Sequence, residues 1–348
     1  MRISDFLKRL VAAAGVLALG GILAGFPRPG VEGAPAAELH WFKGNTHCHS
    51  TQSDGDSAPE VVAGWYADHG YDFLVLSDHN KLTAPGPVLE KVLAEDPKRK
   101  DRPFLMIPGE EITQLQIEGK PVHVNGIRLK HVIEPVADGS TSRESAMDAN
   151  MVAVRLQGGV AHLNHPNWKR SVPLEVLRAS RQLRMIEIWN TGSESLNDGA
   201  EELPSVEANW DALLSDGRDV LVVAVDDAHH FQTWGPDKLN PGGAWVMVRA
   251  AELSADAITE SLRRGDFYPT TGVLLDDWSP DPGRVAVRVR AAAGKTYRIT
   301  FTGKGGRVLR RIEGTEAAYA PVGGEGYVRV RVDDSDGKRA WTQPVWLR

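Results

Sequence analysis

Seven short segments rich in branched apolar residues, at 41–47, 72–77, 104–108, 159–164, 184–189, 220–225 and 244–249, alternate with stretches of helical pattern. This alternation constrains the chain more than any other feature, because repeated βα units bury their strands in a parallel sheet covered by helices. The stretches APEVVAGWYADHG, SRESAMDANMVAVRLQGG, SVEANWDALLSDG and SADAITESLRRGD predict the helices, several opening at a Ser or Ala-Pro cap and closing at Gly. Seven such units suggest a closed barrel. From about Asp276 the pattern changes: RVAVRVRAA, TYRITFTG, RVLRRIEG and GYVRVRVDD alternate apolar with polar residues between Gly-rich turns. These predict a small antiparallel, sandwich-like β domain over 276–348. Its Arg-rich outward faces read as a solvated surface, with a glycan-binding or interaction surface as the alternative.

The 348 residues, 42% hydrophobic and 25% charged, have room for one large domain, 38–275, and this small companion. The N-terminus differs: Arg2, Lys8 and Arg9 precede the uncharged run VAAAGVLALGGILAGF, and Ala34, Pro35 and Ala36 follow it. The run is short for a membrane span of roughly 20 residues. Residues 1–36 therefore read as a secretory signal peptide, with an uncleaved anchor as the alternative, and the expected location is secreted or periplasmic. Of 40 basic and 46 acidic side chains, residues 1–36 hold four and two, leaving 36 against 44, net −8. A long polyanion such as DNA is a poor partner for such a chain. Cys48 is the only cysteine, so no intrachain disulfide can form and stability must come from a core.

The stretch GNTHCHSTQSDGD places His47 and His49 two residues apart. On a strand both aim to one face while Cys48 turns to the other, as a buried, inert thiol. Other polar residues collect at the ends of the expected strands: Asp78 and His79, Glu110 and Glu111, His165, Glu187 and Asn190, Asp227 and His229, with His123 in a short strand after the third unit. In a parallel barrel, chemistry gathers where strands end and loops begin. Burying so many ionisable groups is costly without a counter-charge, which metal ions supply.

These residues resemble the PHP (polymerase and histidinol phosphatase) superfamily, whose members are distorted seven-stranded β/α barrels holding two or three metals. The resemblance runs from about Phe42 to Gly272. It rests on H-x-H with a following S-D-G, SDH, PG-x-E followed by His, and HP before a late D-x-H, in that order. GNTHCHS and GDFYPTTG look most like the extracytoplasmic branch, which includes aryl carbamate ester hydrolases. The resemblance implies one metal on His47, His49, Glu111 and Asp227, a second on Glu111, His123 and His165, and a third on Asp54, His79 and His229. Imidazoles and carboxylates without thiolate suit Zn, Mn or Fe. Either glutamate of PGEEIT can bridge; the family spacing favours Glu111. In DDAHH, Asp227 shares a face with His229 and is the better ligand. His162 and His230 lie outside the pattern, as substrate contacts or as packing; His40, His69 and His131 read as structural.

Adjacent divalent ions lower the pKa of a bound water and clamp the attacked centre, so the expected nucleophile is a hydroxide bridging the metals. Lys169 and Arg170 are candidates to meet the developing charge, or else are exposed charges opening a helix. Asn190, Trp168, Trp189 and Trp234 are candidate pocket walls or caps, and His229 or His230 a candidate leaving-group acid. The expected function is a metal-dependent phosphoesterase acting on a small phosphate ester. A carbamate or carboxylic ester hydrolase with the same centre, and a non-catalytic metal- or glycan-binding surface protein, are the alternatives. The sequence leaves the oligomeric state open.

Overall fold

The branched apolar segments form strands, and the computed structural model, which describes residues 38–135 and 142–347, shows how they meet; the expected leader, 1–36, lies outside the described residues. In chain order the α/β part comprises β1 (His40–Asn45), α1 (Pro59–Asp68), β2 (Phe73–Leu76), α2 (Pro85–Glu95), β3 (Leu105–Ile117), β4 (Lys120–Ile127), α3 (Arg143–Leu156), β5 (Val160–Leu163), α4 (Leu174–Ala179), β6 (Met185–Asn190), α5 (Val206–Ser215), β7 (Leu221–Val225), β8 (Trp245–Ala250), α6 (Ala255–Arg264) and β9 (Phe267–Thr270). The helices start where serines supply caps. Ser142, Ser205 and Ser254 each accept a hydrogen bond from the backbone N–H three residues on, and Gly265, at φ 80°, closes α6 in the left-handed region.

Strands β1, β2 and β3 run parallel, as do β5, β6 and β7, but β4 is antiparallel to both its neighbours. The uninterrupted parallel repeat expected from the sequence is therefore broken. The cause is local: only Glu118 and Gly119, with φ of 51° and 73°, separate β3 from β4. Two residues with positive φ make a hairpin turn, whereas a parallel connection needs a crossover of a dozen residues or more. Strand β8 is likewise antiparallel to β1.

The sheet curves until β7, at one end of it, approaches the interior strand β1. Beyond β1 and β7 the backbone of Asp227 donates to His47 O at 3.0 Å, and His49 donates to Ala228 O at 2.9 Å. Lower on β7 the seam is filled by a side chain. Buried Gln343 accepts from Val222 N at 3.0 Å and donates to Val222 O at 2.8 Å, pairing both backbone groups. The edge strand β7 thus meets the segment that follows β1 at the end that carries the clustered imidazoles and carboxylates.

The remaining strands are β10 (Leu275–Asp281), β11 (Arg284–Val289), β12 (Tyr297–Gly303), β13 (Arg307–Glu313), β14 (Glu316–Tyr319), β15 (Tyr327–Asp334), β16 (Arg339–Trp341) and β17 (Val345–Trp346). Strands β10, β11 and β14 form a separate antiparallel sheet, while β13, β12, β15 and β16 continue the large sheet through Ala340 opposite Thr270 of β9. The period of two places Trp278, Val285, Val287, Ile299, Phe301 and Val330 between the two sheets, all buried. Arg329 of β15 points the other way. It is buried beneath α5, 2.7 Å from Glu207 and forked onto Asp211 at 2.7 and 2.6 Å.

Candidate metal centre

His47 and His49 follow β1 directly, and their side chains share a face because the backbone there stays extended enough to bridge to Ala228. Cys48, between them, is fully buried on the opposite side, its Sγ 3.7 Å from Val75 O. His47 Nε2 and His49 Nε2 lie 3.2 Å apart, and each is 3.1 Å from Asp227 Oδ1. Glu111 Oε2 completes the group at 3.5 and 3.4 Å. Ligands about 2.1 Å from one cation stand about 3.4 Å apart at tetrahedral corners, the spacing that His47, His49 and Glu111 show among themselves. Glu111 Oε2 and Asp227 Oδ1 are buried and accept no hydrogen bond, facing imidazole nitrogens alone. Two orphaned carboxylate oxygens facing two imidazole nitrogens fit a divalent cation.

Two further sets adjoin this one. Glu111 Oε1 lies 2.9 Å from His123 Nδ1 and 3.5 Å from His165 Nε2. The β3–β4 register makes this possible: Thr113 stands opposite His123, so Glu111, two residues back, lies diagonally across on the same face. Asp54, on the turn after His49, reaches His49 Nδ1 at 3.5 Å, His229 Nε2 at 3.4 Å and His79 Nε2 at 3.4 Å. His79 also places Nδ1 2.7 Å from Glu111 Oε2, linking the sets. All nine residues that the family resemblance implied as ligands are thus brought together. His165 and Asp227 adopt φ of 24° and 52°, a strained conformation that persists where the surroundings over-determine it.

The electrostatics reflect crowding of opposite charges. Burial alone would raise the Glu111 carboxyl, but the imidazoles of His123, His47 and His79 outweigh it and hold the group well below the usual range. Burial would lower His79, yet Glu111 and Asp54 lift it to about 10. His49, buried beside His229, is pushed down to about 4. Because cation ligands must be deprotonated, binding here is coupled to proton release.

The choice between paired acids is resolved by direction. Glu110 turns away and accepts from Ile133 N at 2.6 Å, burial raising it to about 7. Asp226 also turns away, accepting from Tyr66 Oη and Asn45 Nδ2 at 2.7 Å each. Asn190 is buried and donates to both Glu187 Oε2 and Asp227 Oδ2 at 3.0 Å, so it aims a ligand rather than lining a bare wall. Trp168 does form a wall, 5.5 Å from the His123 ring and 5.0 Å from that of His165. Trp189 instead packs against Trp341, and Trp234 is an exposed residue beside Trp65.

The candidate cations and the second candidate acid fare differently. Lys169 folds its Nζ over the Trp168 ring at 4.1 Å, at the edge of the cavity. Arg170 is turned out and donates to Glu201 O at 2.9 Å. Their φ of 51° and 53° throws the two side chains apart, which residue identity alone does not reveal. His230 stands behind His229, ring centroids 6.5 Å apart, and does not line the cavity. His162 is buried 3.5 Å from Glu187 and is pushed down to about 4 by burial.

Several residues beyond the expected set position the ligands. Glu187 Oε1 lies 2.6 Å from His47 Nδ1, while its Oε2 accepts from His165 N at 2.8 Å. Asn164 Nδ2 donates to Glu111 Oε1 at 2.8 Å, and Thr113 Oγ1 lies 2.5 Å from His79 Nδ1. Asp78 accepts from Ser50 N and Oγ and from Ser53 Oγ, shaping the turn that presents Asp54. Lys238, in the loop after β7, lines the cavity, and only its neighbourhood to the D-x-H stretch hinted at that.

No protein-family model matches the chain, and no curated protein matches it. Its backbone is similar to that of a two-domain protein containing a predicted PHP-like metal-dependent phosphoesterase from Bacteroides vulgatus, with 18% identity, TM-score 0.48 and coverage of 89% of this chain and 95% of that one. It is also similar to an amidohydrolase from Chromobacterium violaceum solved with bound sulfate, with 14% identity, TM-score 0.35 and coverage of 57% and 93%. Neither TM-score reaches one half, and the chemistry is therefore drawn from the site's own side chains.

Proposed function

We propose that the chain is a multinuclear metal-dependent phosphoesterase of PHP type, built on a distorted β/α barrel and acting on a small phosphate ester. The observation that carries this reading is the convergence of His47, His49 and Glu111 within reach of one ion, with Asp227 Oδ1 3.1 Å from both imidazoles. His123 and His165 would hold a second ion with Glu111, and Asp54, His79 and His229 a third. Divalent ions in such a group lower the pKa of a bound water and polarise the phosphoryl oxygens of an ester.

The protein's part is positioning. Glu187 accepts a hydrogen bond from His47 Nδ1–H and leaves the Nε2 lone pair facing the group, and Asp227 O accepts likewise from His229 Nδ1–H. Asn190 fixes the outer oxygen of Asp227, so its inner oxygen keeps one direction. Trp168 walls the side of His123 and His165. Residues 1–36 are proposed as an export signal, so the enzyme would work outside the cytoplasm. Among the described residues no helix is long and apolar enough to cross a membrane.

The test is a hydrolysis panel on purified, metal-supplemented protein: aryl phosphates against the neutral carbamate and acetate of the same aryl group. Phosphate turnover is expected, falling about a hundredfold or more in Asp227→Asn. Turnover of the carbamate without the phosphates overturns the reading.

A further inference from the structure

The cavity over the metal centre has two lobes. One, of about 430 Å³, runs from His49 and Asp227 towards Ser193, Glu194 and Lys238. The other, of about 850 Å³, runs past Thr113 and Gly119 to Lys120 and Lys169. They meet at Asp54, His79, His123 and Trp168, which line both. The candidate reaction centre is therefore open on two sides rather than at the blind end of one pocket. Trp168 is the shared wall, its ring flanked by Lys169 Nζ and its Nε1 3.4 Å from Glu194.

Asp54, Glu111 and Asp227 are committed to ions in the reading above, so the remaining charges of the first lobe are Glu194, Asp237 and Lys238. Lys120 and Lys169 are the cations of the second, and Lys120 Nζ is engaged with Lys169 O at 2.7 Å. No arginine is among the described residues lining either lobe, and Arg170, the nearest in sequence, is tied to Glu201. A terminal phosphomonoester brings up to two negative charges and only one organic arm. A phosphodiester brings one charge and two arms, and in-line displacement sets its leaving arm away from the incoming oxygen, so both arms need room.

We propose that the substrate is a phosphodiester whose two ester arms lie one in each lobe, with phosphorus over the residues the lobes share. This rests on the phosphoesterase reading above and narrows its substrate class. Hydrolysis forms one P–O bond from water and breaks one ester P–O bond. The departing alcohol takes one proton of that water, and the product is a phosphomonoester.

The test pairs binding with turnover on the metal-loaded full chain. Dibenzylphosphinate and benzylphosphonate carry two arms and one arm respectively, on P–C bonds that cannot be hydrolysed. By calorimetry the two-armed anion is expected to bind at least about tenfold more tightly despite its smaller charge. Lys120→Trp, which fills the second lobe, should abolish that preference and lower the diester-to-monoester ratio of kcat/KM for phenyl esters about tenfold or more. Lys120→Ala, which leaves the lobe open, should retain the preference. Equal or tighter binding of benzylphosphonate, with faster turnover of the monoester, overturns the diester assignment and leaves the phosphoesterase reading standing. Turnover of aryl carbamate alone, with neither phosphorus anion bound, defeats both.

Discussion

His47 faces the metal group through Nε2 because Glu187, buried 2.6 Å from Nδ1, holds the other nitrogen. A carboxylate behind a ligating imidazole fixes its tautomer and raises its basicity. Glu187→Gln keeps the shape and removes the charge, and it is expected to weaken metal affinity about 10- to 100-fold with the fold intact. Competition titration with a chelator, beside a thermal melt of the metal-free protein, would measure this; unchanged affinity would refute the role. At this scale the ligands were legible because each belongs to a recognisable short motif, although Glu111 and His123 lie within β3 and β4 rather than at a strand end. Glu187 was legible only as one more strand-end carboxylate. Its partner is 140 residues away in sequence, and only the meeting of β1 and β6 across the curved sheet reveals the pair. Lys169 and Arg170 part for a reason that residue identity hides: a left-handed turn sends these neighbouring cations in different directions, Lys169 to the cavity edge and Arg170 to Glu201 O.

Strand β15 is fastened to α5 by a buried ion cluster. Arg329 is 2% exposed and neutralises both Glu207 and Asp211, while Tyr327 Oη donates to Asp211 at 2.8 Å. Arg329→Met would leave Asp211 without its cation and Glu207 with Arg331 alone, at a cost of about 3–5 kcal/mol at neutral pH. Burial alone would raise Glu207, but Arg329 and Arg331 outweigh it and hold the group below its ordinary value. A depressed carboxylate contributes stability that is present above its unfolded pKa, about 4.3, and is lost as pH falls through the lower folded value. The gap between wild type and variant should therefore be widest near neutrality and shrink on acidification below about pH 4. Urea titrations across that range check it, and a gap that widens in acid would contradict the assignment. The hairpin between β3 and β4 shows what element patterns conceal. Apolar alternation has the same period in parallel and antiparallel strands, so β4 looked like a short addition to a parallel set. The informative signal was the length of the connection, two residues ending in Gly119.

Across the whole molecule, the C-terminal strands do more than sit beside the α/β part. Gln343 of that region fills the seam on β7, and β16 links β15 to β9 within the large sheet. Neither contact is written in local sequence, since a single polar side chain over 100 residues away supplies the pairing that a neighbouring strand would otherwise give. What was legible was the order of the metal-binding motifs, because each is local. The central claim is that these motifs converge into one multinuclear centre bridged by Glu111. Elemental analysis of purified, metal-supplemented protein tests it most directly. Two or three first-row transition ions per chain are expected in the wild type. Glu111→Ala should lose more than one of them while remaining folded, because deleting a shared carboxylate removes bonds to two ions and leaves their mutual repulsion uncompensated. A folded wild type holding one ion or none, or a variant that loses only one, would contradict the account.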